Sequence, residues 1–584
     1  MRVLENPEDM RSARWFPQAS LNFAENLLRH RDDRPAIVFR SETGTTATCS
    51  FAELYSLVAQ TTQALRAAGI GKGDRVAGYL PNLPETVIAM LATTSIGAIW
   101  SSCSPDFGIE GVVDRLGQIK PRLLFCAAAY SYNGKTHDCV EKVRGIVDAI
   151  PSIEQTVVVP YLDPNAKIRK IPNARWFDDF IENTATEIAF ERLPFDHPVY
   201  ILYSSGTTGV PKCITHGAGG TLLQHLKELV LHTNLRRSDR FCYFTTCGWM
   251  MWNWMVSGLA VGSTLVLYEG SPFHPSPAAM FDLIDEVGIT VFGTGAKSIS
   301  AWEKAGLKPR ETHQLNTLVT LLSTGSPLAP ASFEYVYREI KQNLCLSSIA
   351  GGTDIVSCFL PGCPILPVWP GELQCAGLGM AVEILREDGS TADIGETGEL
   401  CCSQAFPAMP VCFWGDEDGS KYTAAYFEKF PGVWAHGDFV ARSENGGYLI
   451  QGRSDATLNP GGVRIGTSEI YRQVEGLDEV LESICIGQDW DDDVRVVLFV
   501  KLREGLVLDE NLQDRIRKLI RQNTTPRHVP AKILQVEDIP RTVSGKIVEL
   551  AVRDIVHGRK VGNVDALANP ESLEYFRDLP ELNH

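Results

Sequence analysis

An apolar strand running directly into a loop of glycine and hydroxyl residues constrains this chain more than any other feature: YILYSSGTTGVPKCITHGAGG, residues 200–220. Val199 to Tyr203 reads as a buried strand. Ser204, Ser205, Gly206, Thr207, Thr208 and Gly209 then offer backbone amides and hydroxyls with no bulk in the way, and Lys212 adds a mobile positive charge, so the loop suits phosphate. The ordinary P-loop needs glycine, four residues, then Gly-Lys-Ser/Thr; here Pro211 precedes the lysine and Cys213 follows it, which disfavours Ras-like and kinase-like readings. The plain alternative is a solvated turn, but such turns rarely combine a buried strand, two Ser, two Thr, two Gly and a Lys so tightly.

A chain of 584 residues is too long for one hydrophobic core, so a large multi-lobed body and at least one further domain are expected. A formal charge of −17 argues against nucleic acid as a partner and requires any anionic substrate to be held by local cations and amides acting against the overall field. The 15 cysteines are scattered, with no CxxC pair and no zinc-like spacing, which points to buried thiols in a reduced, cytosolic protein. MRVLENPEDMRSARWF carries charges where a signal peptide needs an apolar run, and nowhere are there about 18 consecutive apolar residues, so no membrane insertion is expected.

Along the chain, 50–69 has helical periodicity ending in glycine, and KGDRVAGYLPN, RLLFCAA, EQTVVVPYL, GSTLVLYEG and GITVFGTG are short strands beside helical segments. The fold class that follows is α/β: a large N-terminal body with mostly parallel sheets, plus a small antiparallel subdomain at about 395–454, where strands alternate with Gly-rich turns. Beyond it, helices near 468–475, 512–521 and 547–557 and strands near 481–487 and 495–502 predict a compact C-terminal α+β domain, 455–584, hinged at Asp455 to the 1–454 body. VFGTGAKS, 291–298, lacks the Gly-Lys-Ser order of a nucleotide loop and fits a strand end near a substrate pocket.

Four more segments carry chemistry that makes sense beside a phosphate loop. In AGGTDIVSCF, Thr353 and Asp354 follow paired glycines that let a ligand approach closely. In WAHGDFV, Asp438 at a strand edge can accept two hydrogen bonds from a ribose diol, although an isolated Gly-Asp is more often a turn. Arg453 and Arg464 flank the proposed hinge, and Lys546 tips a Thr/Ser/Gly loop in IPRTVSGKIVEL.

In this order the segments resemble the adenylate-forming superfamily of acyl-CoA synthetases, luciferases and peptide-synthetase adenylation domains, and the resemblance covers essentially the whole chain. It implies an AMP-forming acid–thiol ligase using ATP, CoA as co-substrate and Mg²⁺. Ser204 to Lys212 would embrace the β- and γ-phosphates, Gly325 and Ser326 would lie against adenine, and Gly352 and Thr353 would contact the α-phosphate. Asp354 would help position magnesium, Asp438 would hold the ribose, and Arg453 and Arg464 would reach the nucleotide. Lys546 would bridge the carboxylate and α-phosphate, with Asp455 as the pivot that withdraws it. Of the basic segment RIRKLIRQNTTPRHVP, Arg527 is the candidate for CoA phosphate, against the equal alternative of a solvated helix face.

Segments such as GAIWSSCSPDFG, HGAGGTLLQHLKE and GWMMWNWMVSGLAVGSTLVLYEGSP are similar to those of members that activate acetoacetate. Small-acid members carry aromatic side chains where this chain has Ala350 and Gly351, so the resemblance implies a roomier acyl pocket bounded by Gly351, Trp249 and Met250, against the alternative that the aromatics are simply core. Members usually begin several dozen residues earlier, so apolar surface on the N-terminal lobe is expected to be uncovered. Two competing readings are a CoA ligase for another short acid and a truncated isoform that binds nucleotide without turnover.

Overall fold

The structure, a computed structural model, describes residues 2–584 except 205–210, 326, 329, 455–457, 459, 463–464, 466, 476, 492, 542–547, 560, 562–566 and 568. The chain divides into two compact units, one of Met1–Pro105, Arg115–Ser204 and Cys213–Gly452, the other of Asp106–Asp114, Ser205–Lys212 and Arg453–His584.

The first unit is built on two large sheets. An eight-stranded sheet runs in the order Ala174–Trp176, Gln155–Val159, Leu123–Ala127, Arg75–Tyr79, Ile99–Cys103, Pro198–Ser204, Lys212–Gly217, Cys412–Phe413. A seven-stranded sheet runs Cys345–Ser348, Thr320–Thr324, Val291–Gly295, Arg240–Tyr243, Thr264–Glu269, Pro35–Ser41, Thr46–Ser50. Pairing is parallel through most of both, with antiparallel strands at one edge of each. Strands such as Leu123–Ala127 and Ile99–Cys103 are buried at every position, as parallel strands covered on both faces must be.

Local signals set the helix ends. Phe51–Ala67 begins at a capping box between Ser50 and Glu53 and stops before Gly69, whose φ of 77° no branched side chain would tolerate cheaply. The segment 291–298 is indeed a strand end, Val291–Gly295, followed by the helix Ala296–Lys304.

The small antiparallel sheet has the order Val382–Leu385, Thr397–Cys402, Trp434–Arg442, Tyr448–Arg453. It starts earlier than the expected 395, because a strand of four residues carries too little alternation to be read. In the second unit, Val480–Trp490 and Asp493–Leu502 form a long hairpin, and Lys532–Gln535 adds a parallel strand. The helices Thr467–Val474, Glu510–Asn523 and Glu549–Val556 accompany it, so this unit is α+β.

The elements that bear the site are named β1 (Pro198–Ser204), β2 (Lys212–Gly217), α1 (Ala218–Lys227), α2 (Met250–Val256), β3 (Ala350–Gly352), β4 (Ser357–Leu360), β5 (Thr397–Cys402) and β6 (Trp434–Arg442). β2, α2 and β3 follow the strands Pro198–Ser204, Arg240–Tyr243 and Cys345–Ser348 of the parallel sheets, on the side where open α/β sheets place their ligands.

Candidate active site

Ser204 is the last residue of β1 and Lys212 the first of β2, so the phosphate-loop candidate connects two strands of the central sheet. Ser205, Gly206, Thr207, Thr208 and Gly209 lie outside the described residues, as do Ser326, Asp455, Arg464 and Lys546. Gly325, at φ 92°, follows the strand Thr320–Thr324, and the Thr324 hydroxyl donates to the Ile349 carbonyl at 2.8 Å. That bond ties the Gly325 corner to the residue just before β3.

β3 and β4 form an antiparallel pair with a register shift between Ala350 and Gly351, and the turn between them carries Thr353 and Asp354. Asp354 is buried, and Tyr426 donates its hydroxyl to Asp354 Oδ1 at 2.7 Å. The Tyr426 ring stacks on Trp434, the first residue of β6, with centroids 3.7 Å apart. β6 carries His436 and Asp438 two and four residues further on, and His436 Nε2 stands 3.6 Å from Asp438 Oδ2. Gly352 closes the circle. A Cβ on it would lie 3.2 Å from His436 Cε1 and 3.3 Å from Asp354 Oδ2, so glycine is what lets the turn and β6 approach each other. The fold thus brings Gly352, Thr353, Asp354 and Asp438 together from segments more than 80 residues apart in sequence.

Three residues in this cluster escaped the sequence reading. Glu399, buried on β5, accepts the Gly437 amide at 2.6 Å and pairs with Lys429 at 2.6 Å. It thereby holds Gly437, at φ 85°, in the irregular stretch of β6 that presents Asp438. Tyr426 and His436 are the others; the only sequence signal was the histidine two residues before Asp438. On β2, burial drives the His216 pKa down to about 3 despite the opposing pull of the Asp354 carboxylate, so this imidazole is neutral beside the turn.

The acyl-pocket candidates fall on a wall of the same unit. Trp249 is half-buried and meets Tyr243 edge-on at 6.1 Å, and Met250 is buried in the first turn of α2. Trp252 is core: it is fully buried and donates to Asn82 at 3.0 Å. Trp254 also packs on Tyr243 and donates to Glu228 Oε2 at 2.8 Å. A cavity of ≈ 10 Å³, room for about one water, lies against Glu228, Trp254, Leu322, Ile349 and Cys358.

Gly351 needs a correction of reason. A Cβ there would lie 2.0 Å from the Ser357 carbonyl oxygen and 2.5 Å from Cys358 Cα, so it would point into β4 and not into open pocket. Glycine is required at 351 by the close approach of β4.

In the second unit, Arg453 ends the strand Tyr448–Arg453, and Arg527 donates from Nη1 to the Gly461 carbonyl at 2.8 Å. The helix that follows the 542–547 segment begins at Glu549, whose carboxylate accepts from Thr467 and from Tyr471, each at 3.1 Å; burial raises its pKa. Among the described residues no cluster of three or more His, Cys, Asp or Glu could hold a metal, and no helix is long and apolar enough to cross a membrane.

Residues 23–409 match the AMP-binding enzyme family and residues 473–546 the AMP-binding enzyme C-terminal domain. An acetoacetyl-coenzyme A synthetase of Rhizobium meliloti (strain 1021) is 57% identical over 583 residues, covering 100% of this chain and 89% of its own length. An acetoacetyl-CoA synthetase of Mus musculus is 52% identical over 578 residues, 97% of this chain and 86% of its own. The solved acetoacetyl-CoA synthetase from Streptomyces lividans superposes with a TM-score of 0.76 at 41% identity, covering 99% of this chain and 89% of that one.

Proposed function

This chain belongs to the AMP-binding enzyme family, and from that membership we propose that it ligates acetoacetate to CoA through an acyl-adenylate, giving acetoacetyl-CoA, AMP and pyrophosphate. The observation that carries the reading is 57% identity, over the whole of this chain, to a synthetase of that name, together with the convergence of Thr353 and the buried Asp354 and Asp438 in one cluster.

A carboxylate is anionic and resonance-stabilised, so a thiol does not displace its oxygen at neutral pH. In the first step a carboxylate oxygen of the acid attacks the α-phosphorus of ATP, the bond to the bridging oxygen breaks, and pyrophosphate leaves. Two anions meet in that step, so positive charge and amide donors must face the developing oxyanions. The 204–209 loop and Lys212 are assigned to the β- and γ-phosphates, Thr353 to the α-phosphate, Asp438 to the ribose, Gly325 and Ser326 to adenine, Arg453 to the nucleotide, Arg464 to phosphate, and Lys546 to the carboxylate and α-phosphate, where charge develops.

Asp354 fits a magnesium ion as one of the few carboxylates such an ion takes when substrate phosphates and waters supply its other oxygens. When bound, the ion would neutralise phosphate charge. Tyr426, which donates to Asp354 Oδ1, orients the carboxylate for it.

In the second step the CoA sulfur attacks the acyl carbonyl and AMP departs with the electrons of the C–O bond. Asp455 is the pivot about which the C-terminal domain, 455–584, withdraws Lys546, and Arg527 is the residue assigned to CoA phosphate. The compartment is the cytosol, in keeping with thiols that are all free among the described residues.

Acetoacetate-dependent ATP–pyrophosphate exchange, followed by CoA-thiol consumption, tests the assignment, and a panel of short acids in the same assay separates acetoacetate from its neighbours. Asp455→Pro, which locks φ, should leave one half-reaction and stop the other; equal loss of both would remove the hinge.

A further inference from the structure

Val356 is the residue on which the candidate nucleotide turn is strained. It is fully buried and β-branched, yet its φ is +50°, a region such residues almost never enter. Strain of this kind persists only where the surroundings over-determine it. The surroundings are on α1. His225 Nε2 lies 2.6 Å from the Val356 carbonyl oxygen, and its Nδ1 lies 2.7 Å from the Ser257 hydroxyl.

Burial presses the His225 pKa down to about 4, so the ring is neutral near pH 7. A neutral imidazole facing a carbonyl must carry its proton on Nε2, which leaves Nδ1 to accept from Ser257. One turn along, Glu228 accepts the Cys358 amide at 3.1 Å, and it is itself held by Gln224 at 3.0 Å and Trp254 at 2.8 Å. Residues three apart share a helix face. That face therefore grips the chain at Val356 and at Cys358, just beyond Thr353 and Asp354.

We propose that His225, seconded by Glu228, is a positioning residue for the nucleotide: it pins the strained Val356 backbone and so fixes where Thr353 and Asp354 stand, touching no substrate itself. This rests on the reading of Thr353 and Asp354 as nucleotide contacts. It assigns a task to two buried ionisable groups that the reaction steps leave idle.

The test is AMP binding to the full chain by calorimetry, which needs no acid. His225→Leu removes both hydrogen bonds and should weaken AMP binding about tenfold or more. His225→Gln keeps an amide donor for Val356 and should stay within about threefold of wild type. Adding Val356→Gly to His225→Leu should restore most of the affinity, because glycine takes positive φ without strain, while the melting temperature stays low for want of the valine side chain. A purely structural histidine would instead give equal losses in the Leu and Gln variants, or a further loss on adding glycine; either result overturns the proposal.

Should His225→Leu fail to fold, Ser257→Ala with and without Val356→Gly carries the same decision: an affinity loss of about threefold that glycine reverses supports it, and one that glycine deepens, or no loss, sinks it. Acetoacetate-dependent exchange by the wild type is the separate arm. Its absence with AMP binding intact overturns the acetoacetate assignment alone, and absence of AMP binding overturns both.

Discussion

The two walls of the candidate site are built in opposite ways. The nucleotide wall is polar and closed by short bonds between distant segments: Tyr426 to Asp354, Glu399 to Gly437, His225 to Val356. The candidate acyl wall is apolar packing, Trp249 on Tyr243 on Trp254. Directional bonds tolerate little displacement, whereas packed rings and a one-water cavity can relax. Damage to the first wall should stop the chemistry; damage to the second should change which acid is used.

Lys546→Ala should give the largest effect, lowering adenylation by about 10²-fold or more, as loss of one preorganised electrostatic donor does; an intact pyrophosphate-exchange rate would contradict its role. Glu399→Gln sharpens the comparison from the polar wall. The amide keeps an acceptor for Gly437 but loses the charge that pairs with Lys429, so KM for ATP should rise about tenfold with kcat less affected. An unchanged KM would show that the Asp438 segment holds its shape without it.

Acid reaches the polar wall too. His216 and His225 have folded-state pKa values of about 3 and about 4, below the ordinary 6.5, because burial disfavours the charged ring. The unfolded chain therefore binds more protons between pH 6.5 and 4, so the stability these rings contribute is present above 6.5 and is lost as pH falls. Urea titrations should show a slope of up to about 1.4 kcal/mol per pH unit from each ring over that window, and His225→Gln should remove one ring's share of it.

Trp249→Phe gives the smallest change. The smaller ring trims the candidate acyl wall where it meets Tyr243, so a longer acid should be favoured by about threefold to fivefold, within the range that one methylene commands. A loss of all activity in a folded Trp249→Phe protein would erase the distinction between the walls.

The residues gathered around Asp354 were legible in sequence as a candidate site because their chemistry is written in contiguous motifs. Thr353 and Asp354 sit beside paired glycines, and Asp438 follows Gly437. Their supports were not legible. Glu399 serves a residue 38 positions away and His225 one 131 positions away, and nothing local marks either. Gly351 looked like an open pocket floor, and only the position of Ser357 shows that backbone fills the space its side chain would need.

By itself the sequence determined the α/β architecture, the order of the chemical motifs and the residue types available to meet phosphate and ribose, since strand periodicity, capping and glycine-dependent turns act over a few residues. Only the tertiary structure decided which buried histidine pins which carbonyl, which glutamate shapes the Asp438 strand and why position 351 admits no side chain. The first two depend on groups 131 and 38 positions apart, and the third on how closely β3 and β4 pair; in none does distance along the chain fix distance in space.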